Sequence, residues 1–164
     1  MIFVTVGTHE QPFDRLIKAI DHFKISTNTD ESIIIQTGYS TYEPVNCTWR
    51  KFFSYQDMVK NITEAEIIIT HGAPSSFIMP LQIGKIPIVI PRQKSFGEHV
   101  NDHQLEFCRT VESKLNNIIL VENILNLEDT IINYPEKCKG KRSDLDTNNK
   151  NFNRELNRLV EELI

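Results

Sequence analysis

The stretch from His71 to Ser76 has the residue types and order of a helix start that binds an anion. Gly72 permits a tight turn, and Pro74 suits the first position of a helix, where its missing N–H is not needed. Ser75 and Ser76 then place hydroxyl and backbone N–H groups at the helix N-terminus, where the helix dipole favours a phosphate or diphosphate. A helix start that is merely capped is the alternative. The chain has neither a G-x-x-x-x-G-K-[ST] loop nor a G-x-G-x-x-G fingerprint.

A second group of hydrogen-bonding side chains follows Gly97. Glu98 and His99 lead into Asn101-Asp102-His103-Gln104, and we expect this segment to open a helix directly after Gly97. This turn contains more polar groups than helix capping needs, and their side chains could form hydrogen bonds with several sugar hydroxyls. The alternative is ordinary helix-start electrostatics, with His103 a surface residue. The sequence shows no legible Ser-His-Asp or Cys-His nucleophile set.

Composition excludes several classes of protein. The chain has 164 residues, which corresponds to about one domain. Its net charge of −4 argues against a nucleic-acid binder, because phosphate neutralisation needs clustered positive charge. Three cysteines without metal-ligand spacing predict reduced thiols in the cytosol. The N-terminus reads as a strand and not as a signal peptide, and no apolar run approaches the roughly 20 residues of a membrane span.

Elements of two kinds alternate along the chain and would position these residues. Short, β-branched runs predict buried strands at Ile2–Val6, Ile33–Ile35, Ile67–Ile69, Ile86–Ile90 and Ile118–Val121. Between them, apolar residues recur with helical spacing from Phe13, from Tyr55 behind a Ser54-x-x-Asp57 capping signal, from Val100 and from Ile124. A short extra strand is possible within 45–53. The pattern predicts an α/β protein: a single Rossmann-like domain with a mostly parallel, doubly wound sheet.

The loops after the strands should form the site, because ligands of open parallel sheets bind beyond the carboxyl ends of the strands. Glycine and polar residues gather there while the strands are apolar. The loops are 7–12, 36–39 with Gly38, 71–76 and 91–99.

The chain divides into three predicted parts. Residues 1–132 form the Rossmann-like domain, and 133–150, with almost no apolar residues, form a linker or mobile loop. Residues 151–164 form a C-terminal amphipathic helix, whose apolar stripe either packs back on the domain or offers a surface to another chain.

Motifs over about residues 1–125 resemble the C-terminal, donor-binding half of GT-B glycosyltransferases of family 28. They are Tyr55-x-x-Met58, Ile67-Ile68-Ile69-Thr70-His71-Gly72, Gly84-Lys85-Ile86-Pro87 and Asn101-Asp102-His103-Gln104. The resemblance is greatest to stand-alone versions of this half. These are the catalytic subunit of the two-part dolichol-pathway UDP-GlcNAc transferase and, closer, capsule and exopolysaccharide subunits, often β-1,4-galactosyltransferases, which share a stretch like Pro91–Gln104.

The resemblance implies a UDP-sugar as donor substrate, with no other cofactor and no metal bound through a DxD motif. By position, Gly7 and Thr8 would lie near the donor, and Arg92 beside the nucleotide. Contacts to the sugar would come from Asp102, His103 and Gln104, and the diphosphate turn would be formed by His71, Gly72, Ala73, Pro74, Ser75 and Ser76. The chain departs from the family at Met79, where many relatives have a glutamate that holds the ribose, and Pro80 follows it.

The resemblance also implies a missing half. A complete GT-B enzyme has two Rossmann-like domains, so we expect a partner: a membrane-anchored subunit that resembles the N-terminal half and brings this chain to a lipid-linked saccharide acceptor at the cytoplasmic face. The reaction would be an inverting displacement at the anomeric carbon. Its general base would be His9, Glu10 or His99, or, as we favour, a partner residue.

Two other functions stay open from the sequence. Met79-Pro80 favours a non-catalytic enhancer subunit that keeps the fold without the chemistry. An unrelated flavodoxin-like nucleotide-binding module would share the alternation of strands and helices.

Overall fold

Buried apolar runs form five of the six strands of one sheet in the computed structural model, which describes residues 1–143. Its strands are β1 (Ile2–Thr5), β2 (Ile33–Gln36), β3 (Thr48–Arg50), β4 (Ile67–His71), β5 (Ile88–Ile90) and β6 (Ile119–Leu120). The order is β3-β2-β1-β4-β5-β6, with every neighbouring pair parallel. The predicted Rossmann-like class is therefore confirmed, and the flavodoxin-like order 2-1-3-4-5 is not the one observed.

Helices cover both faces of the sheet, which explains why its strands are apolar without alternation. The helices are α1 (Asp14–Ser26), α2 (Tyr55–Glu64), α3 (Pro74–Gln82), α4 (His103–Leu115), α5 (Leu127–Ile132) and α6 (Tyr134–Cys138). One face packs on α1 and α5 through Val4 and Ile69, and the other packs on α2, α3 and α4 through Phe3 and Val89. Strand order reverses between β1 and β4, so a crevice opens beyond their carboxyl ends.

Two side chains fix the ends of α2. Ser54 caps α2, and its hydroxyl oxygen accepts the Asp57 N–H at 3.1 Å, as predicted. The Lys85 ammonium caps the other end of α2 and donates to the carbonyls of Ile62, Thr63 and Ala65 at 2.9, 2.5 and 2.6 Å. The lysine of the Gly-Lys-x-Pro motif therefore stabilises a helix end, far from the crevice.

Two boundaries differ from the sequence-based expectation. The third long helix begins at His103, not directly after Gly97, because Glu98 and Asp102 accept hydrogen bonds from the preceding backbone and hold 98–102 as a loop. The predicted linker 133–150 starts with a helix, α6, whose Tyr134 hydroxyl donates to the Ile86 carbonyl at 2.7 Å.

The predicted C-terminal helix, residues 151–164, lies outside the described residues. Across residues 1–143, no helix combines the length and the apolar character that a membrane span requires.

Asp21 on α1 fixes the segment that leads into β3. Its carboxylate is 1% exposed and accepts hydrogen bonds from the Tyr42 hydroxyl at 2.7 Å and the Asn46 N–H at 2.8 Å, and also from the Val45 N–H and the Asn46 side-chain amide. Burial alone would raise the pKa of Asp21. The hydrogen bonds from Tyr42, Asn46 and Val45 outweigh burial, so that the pKa lies below its ordinary value.

We expect Asp21→Asn to lower the free energy of unfolding by about 1–3 kcal/mol at pH 7, because a hydrogen-bonded carboxylate is lost. The depressed pKa stabilises the fold above the unfolded-state value of about 4, and this stabilisation is lost as the pH falls through the folded-state value. Denaturant titrations at pH 7 and pH 3 should therefore show a difference that shrinks at low pH. Exposed Asp30→Asn is the control. A difference that is equal at both pH values would contradict this account.

Candidate functional site

The turn between β4 and α3 has the predicted helix start. Ala73 is the extended residue before the helix, and Pro74 occupies its first position. Ser75 is exposed at the crevice. The Ser76 hydroxyl donates to the carbonyls of His71 at 2.8 Å and Ala73 at 2.6 Å, so it closes the turn and is not offered to a ligand as the sequence suggested.

The ends of β1 and β4 approach each other closely where the strand order reverses. A Cβ on Gly7 would lie 2.4 Å from Cε1 of His71, and Gly7 has a φ of +75°. A Cβ on Gly38, which has a φ of +55°, would lie 2.7 Å from the Gly7 carbonyl oxygen. Only glycine fits both positions without displacing a neighbour. Gly38, a predicted binding residue, is buried behind Gly7 and supports the loop.

His71 is a neutral side chain at the centre of the site. It is 7% exposed, and within residues 1–143 its Nδ1 has no hydrogen-bond partner. Burial, and next the charge of Arg92, lower the pKa of His71 to about 4, so the imidazole is uncharged at neutral pH. It can donate or accept one hydrogen bond but supplies no charge to an anion.

A cavity lies on each side of the 71–76 turn. The larger, about 600 Å³, is named the α4 cavity and is lined by Gly72, Ala73, Pro74, His99, His103, Gln104, Glu106, Phe107 and Thr110. The smaller, about 260 Å³, is named the α2 cavity and is lined by Thr5, Gly7, Thr8, Gln36, Phe53, Tyr55, Met58, Ile62, His71, Ser75, Ser76 and Met79. A ligand seated on the turn would therefore have space for a group at either end.

The predicted sugar-reading residues divide into two pairs. His103 and Gln104 line the α4 cavity, and the Gln104 amide oxygen accepts the Arg92 N–H at 3.1 Å, which leaves its NH₂ group as a donor. Asn101 and Asp102 line neither cavity. The Asn101 side-chain oxygen accepts the His103 N–H at 3.2 Å, and the Asp102 carboxylate accepts the Lys94 N–H at 2.8 Å, so both shape the loop.

Arg92, expected beside the nucleotide, lines neither of the two cavities. It is fully buried, and its guanidinium donates to backbone carbonyls of Val6 and Gln11 at 3.0 and 2.7 Å. The Phe13 ring covers it at 4.7 Å. Burial lowers the pKa of Arg92 to about 10, which still leaves it charged at neutral pH.

The three candidate bases lie near each other but differ in exposure. The rings of His9 and His99 stack at 4.9 Å, and the Gln11 side-chain oxygen lies 2.8 Å from Nε2 of His9. His99 lines the α4 cavity, whereas Glu10 is exposed and lines neither cavity. The geometry therefore places one of the three, His99, in contact with the candidate site.

Several lining residues were not predicted as binding residues, although the motif Tyr55-x-x-Met58 and Met79 were noted in the sequence. Phe53, Tyr55, Met58 and Met79 form the apolar wall of the α2 cavity. The helical spacing of Tyr55 and Met58 predicts an apolar stripe that faces the core. The same spacing is compatible with a helix whose apolar residues at one end line a cavity. Met79 stands on α3, which continues through Pro80 to Gln82.

Comparison with known proteins adds sequence and fold relatives. Residues 1–163 match the family described as the glycosyltransferase family 28 C-terminal domain. The chain is 27% identical over 150 residues to UDP-N-acetylglucosamine transferase subunit ALG13 of Homo sapiens, which covers 84% of this chain and 13% of that protein. The chain thus spans about an eighth of that relative's length.

Two solved structures share the fold. The glycotransferase of kitacinnamycin has a TM-score of 0.57 at 15% identity, over 80% of this chain and 34% of that one. The glycosyltransferase SnogD from Streptomyces nogalater has a TM-score of 0.50 at 16% identity, over 86% and 39%. These two structures show the fold alone. The family match over nearly the whole chain shows that the chain belongs to the glycosyltransferase family 28 C-terminal domains.

Proposed function

We propose that this chain binds a UDP-sugar and is the donor-binding catalytic subunit of an inverting hexosyltransferase. One observation carries the proposal: the 71–76 turn opens α3 at the point where strand order reverses, with a cavity on each side. A diphosphate on the turn would meet the N–H of Ser75 in the first turn of α3, where a helix leaves its amides without intrahelical partners.

The two cavities suit the two ends of such a donor. The α2 cavity has a flat, apolar wall of Phe53, Tyr55, Met58 and Met79, which suits a planar nucleobase. The α4 cavity offers the imidazole of His103, the NH₂ group of Gln104 and the carboxylate of Glu106, which suit sugar hydroxyls. The base would therefore lie toward α2, the hexose toward α4 and the diphosphate between them.

The chemistry needs an anion site and a base. An acceptor hydroxyl oxygen attacks the anomeric carbon, the bond from that carbon to the diphosphate oxygen breaks with inversion, and UDP leaves. The dipole of α3 stabilises the negative charge that develops on the diphosphate. The hydroxyl proton passes to a general base. On this chain His99 is the best-placed candidate, ahead of His9 and Glu10; a base on the partner is still the favoured source.

A partner would complete the enzyme. Residues 1–143 form one Rossmann-like domain, and the human relative is a transferase subunit by name. The proposed partner is a membrane-anchored subunit resembling the N-terminal half of a GT-B enzyme, and it would hold a lipid-linked saccharide acceptor at the cytoplasmic face of the membrane. The proposed pathway is capsule or exopolysaccharide synthesis, with galactose or GlcNAc as the hexose.

A non-catalytic enhancer subunit is the second candidate, and Met79 favours it. A thioether at this position of the α2 cavity wall is only a weak acceptor for the ribose hydroxyl groups, to which a carboxylate would form strong hydrogen bonds. The two candidates differ in one respect: a catalytic subunit needs the residues of the α4 cavity for turnover, and an enhancer does not.

We expect Ser75→Asp to weaken UDP binding at least tenfold, because a carboxylate would stand against the diphosphate at the start of α3. Isothermal titration with UDP measures this, and uridine should bind the variant and the wild type alike. Ser113→Asp, on the exposed surface of α4, is the charge-matched control. Equal UDP affinity in Ser75→Asp and Ser113→Asp would show that the diphosphate does not bind at this turn.

We expect His103→Ala and Gln104→Ala to lower sugar transfer by the reconstituted complex about tenfold or more, with UDP affinity changed less than about threefold. Each removes a hydrogen-bonding group from the α4 cavity, and one such bond is worth about 0.5–1.5 kcal/mol or more. The assay is transfer from a radiolabelled UDP-hexose with the partner present. Exposed His22→Ala is the control. Unchanged turnover in both variants would support the enhancer in place of the catalytic subunit.

A further inference from the structure

We propose that Arg92 is a positioning residue: it fixes the loop between β1 and α1 so that the loop's unpaired amides face the donor's diphosphate. The inference rests on the proposed function, because it concerns the same anion. It assigns Arg92 a role that acts through the backbone, in place of the direct contact expected from the sequence.

The contacts of Arg92 reach both ends of the loop. Nη2 donates to the Val6 carbonyl at 3.0 Å, where the loop leaves β1. Nη1 donates to the carbonyls of Gln11 at 2.7 Å and Pro12 at 3.3 Å, where the loop enters α1. A third bond from Nη1, 3.2 Å long, goes to the Glu98 carbonyl in the loop after β5. A planar guanidinium can donate to acceptors at several fixed positions at once. The single ammonium group of a lysine cannot reach all of these acceptors with the same geometry.

The middle of the same loop keeps its donors free. No hydrogen bond within residues 1–143 uses the backbone N–H of Thr8, His9 or Glu10. Gly7 at the start of the loop lies against His71, the first residue of the 71–76 turn. The free amides therefore sit next to the N-terminus of α3, and successive backbone N–H groups in a turn form an anion-binding concavity.

The charges around Arg92 leave an excess of positive charge beneath the loop. Arg15 and Glu98 form a two-point ion pair, with both N–O distances 2.8 Å, and Arg15 also donates to the Pro91 carbonyl. Within residues 1–143 the acceptors of Arg92 are carbonyls and not carboxylates. Buried Arg92, half-buried Arg15 and buried Glu98 together carry a net charge of +1. The charge of Arg92 reaches His71, and it would attract a diphosphate bound nearby.

The test compares UDP with uridine, because the two ligands differ in the diphosphate alone. Arg92→Lys keeps the charge but loses the guanidinium that donates hydrogen bonds to both ends of the loop. We expect its Kd for UDP to rise about tenfold, as for the loss of a hydrogen bond to a charged group, while its Kd for uridine stays within about twofold. Arg109→Lys, an exposed arginine paired with Glu122, should match the wild type for both ligands.

The outcomes separate this inference from the proposed function. If wild-type chain binds neither UDP nor uridine, the proposed function fails. If it binds UDP and Arg92→Lys binds it equally well, or loses UDP and uridine affinity in the same proportion, Arg92 is only structural and the inference is wrong.

A measurement on wild-type protein covers the case in which Arg92→Lys does not fold. Inorganic pyrophosphate titrated into ¹⁵N-labelled chain should shift the amide signals of Thr8, His9 and Glu10 together with that of Ser75. A shift of Ser75 without the three loop amides would overturn the inference, whereas no shift at any of the four would count against a diphosphate site at the turn itself.

Discussion

The contact between Gly7 and the His71 ring is the constraint on which the site depends. β1 and β4 are parallel neighbours as far as Thr5 and Thr70, and the absence of a side chain on Gly7 lets the His71 ring lie against the loop that leaves β1. A side chain on Gly7 would push the imidazole away and would also oppose the φ of +75°. The β1–α1 loop and the 71–76 turn would then separate, and the crevice would no longer have two walls at a fixed spacing.

The proposed donor is anionic and the chain is acidic, so they would repel each other at long range and binding would depend on local features. The net charge is −4, and burial keeps His71 neutral by lowering its pKa to about 4. The attraction is left to the dipole of α3, the free amides of the β1–α1 loop and the buried charge of Arg92. These groups are fixed before a ligand arrives, which is the arrangement that stabilises developing charge without reorganisation.

Much of the fold followed from sequence, and the reasons are local. The β-branched runs and the Ser54-x-x-Asp57 cap act within one element, so the strands and α2 were placed well. What sequence missed depends on contacts between distant segments. The family resemblance implies a place for Arg92 beside the nucleotide, and its burial against Val6, 86 residues away, has no local signal in the sequence.

Met79 illustrates how a single position can change the site without changing the fold. On α3 it lines the α2 cavity beside Tyr55 and Met58, and its side chain adds to a wall that is already apolar. A carboxylate here would bring a negative charge to within reach of the diphosphate, a Coulomb cost that hydrogen bonds to the ribose would have to offset. Methionine brings neither this Coulomb cost nor strong hydrogen bonds to the ribose, and its flexible side chain packs into irregular space. Under the proposed function, the apolar α2 cavity would hold a nucleobase by contact area, and hydrogen bonds to the donor would be concentrated at the diphosphate and in the α4 cavity.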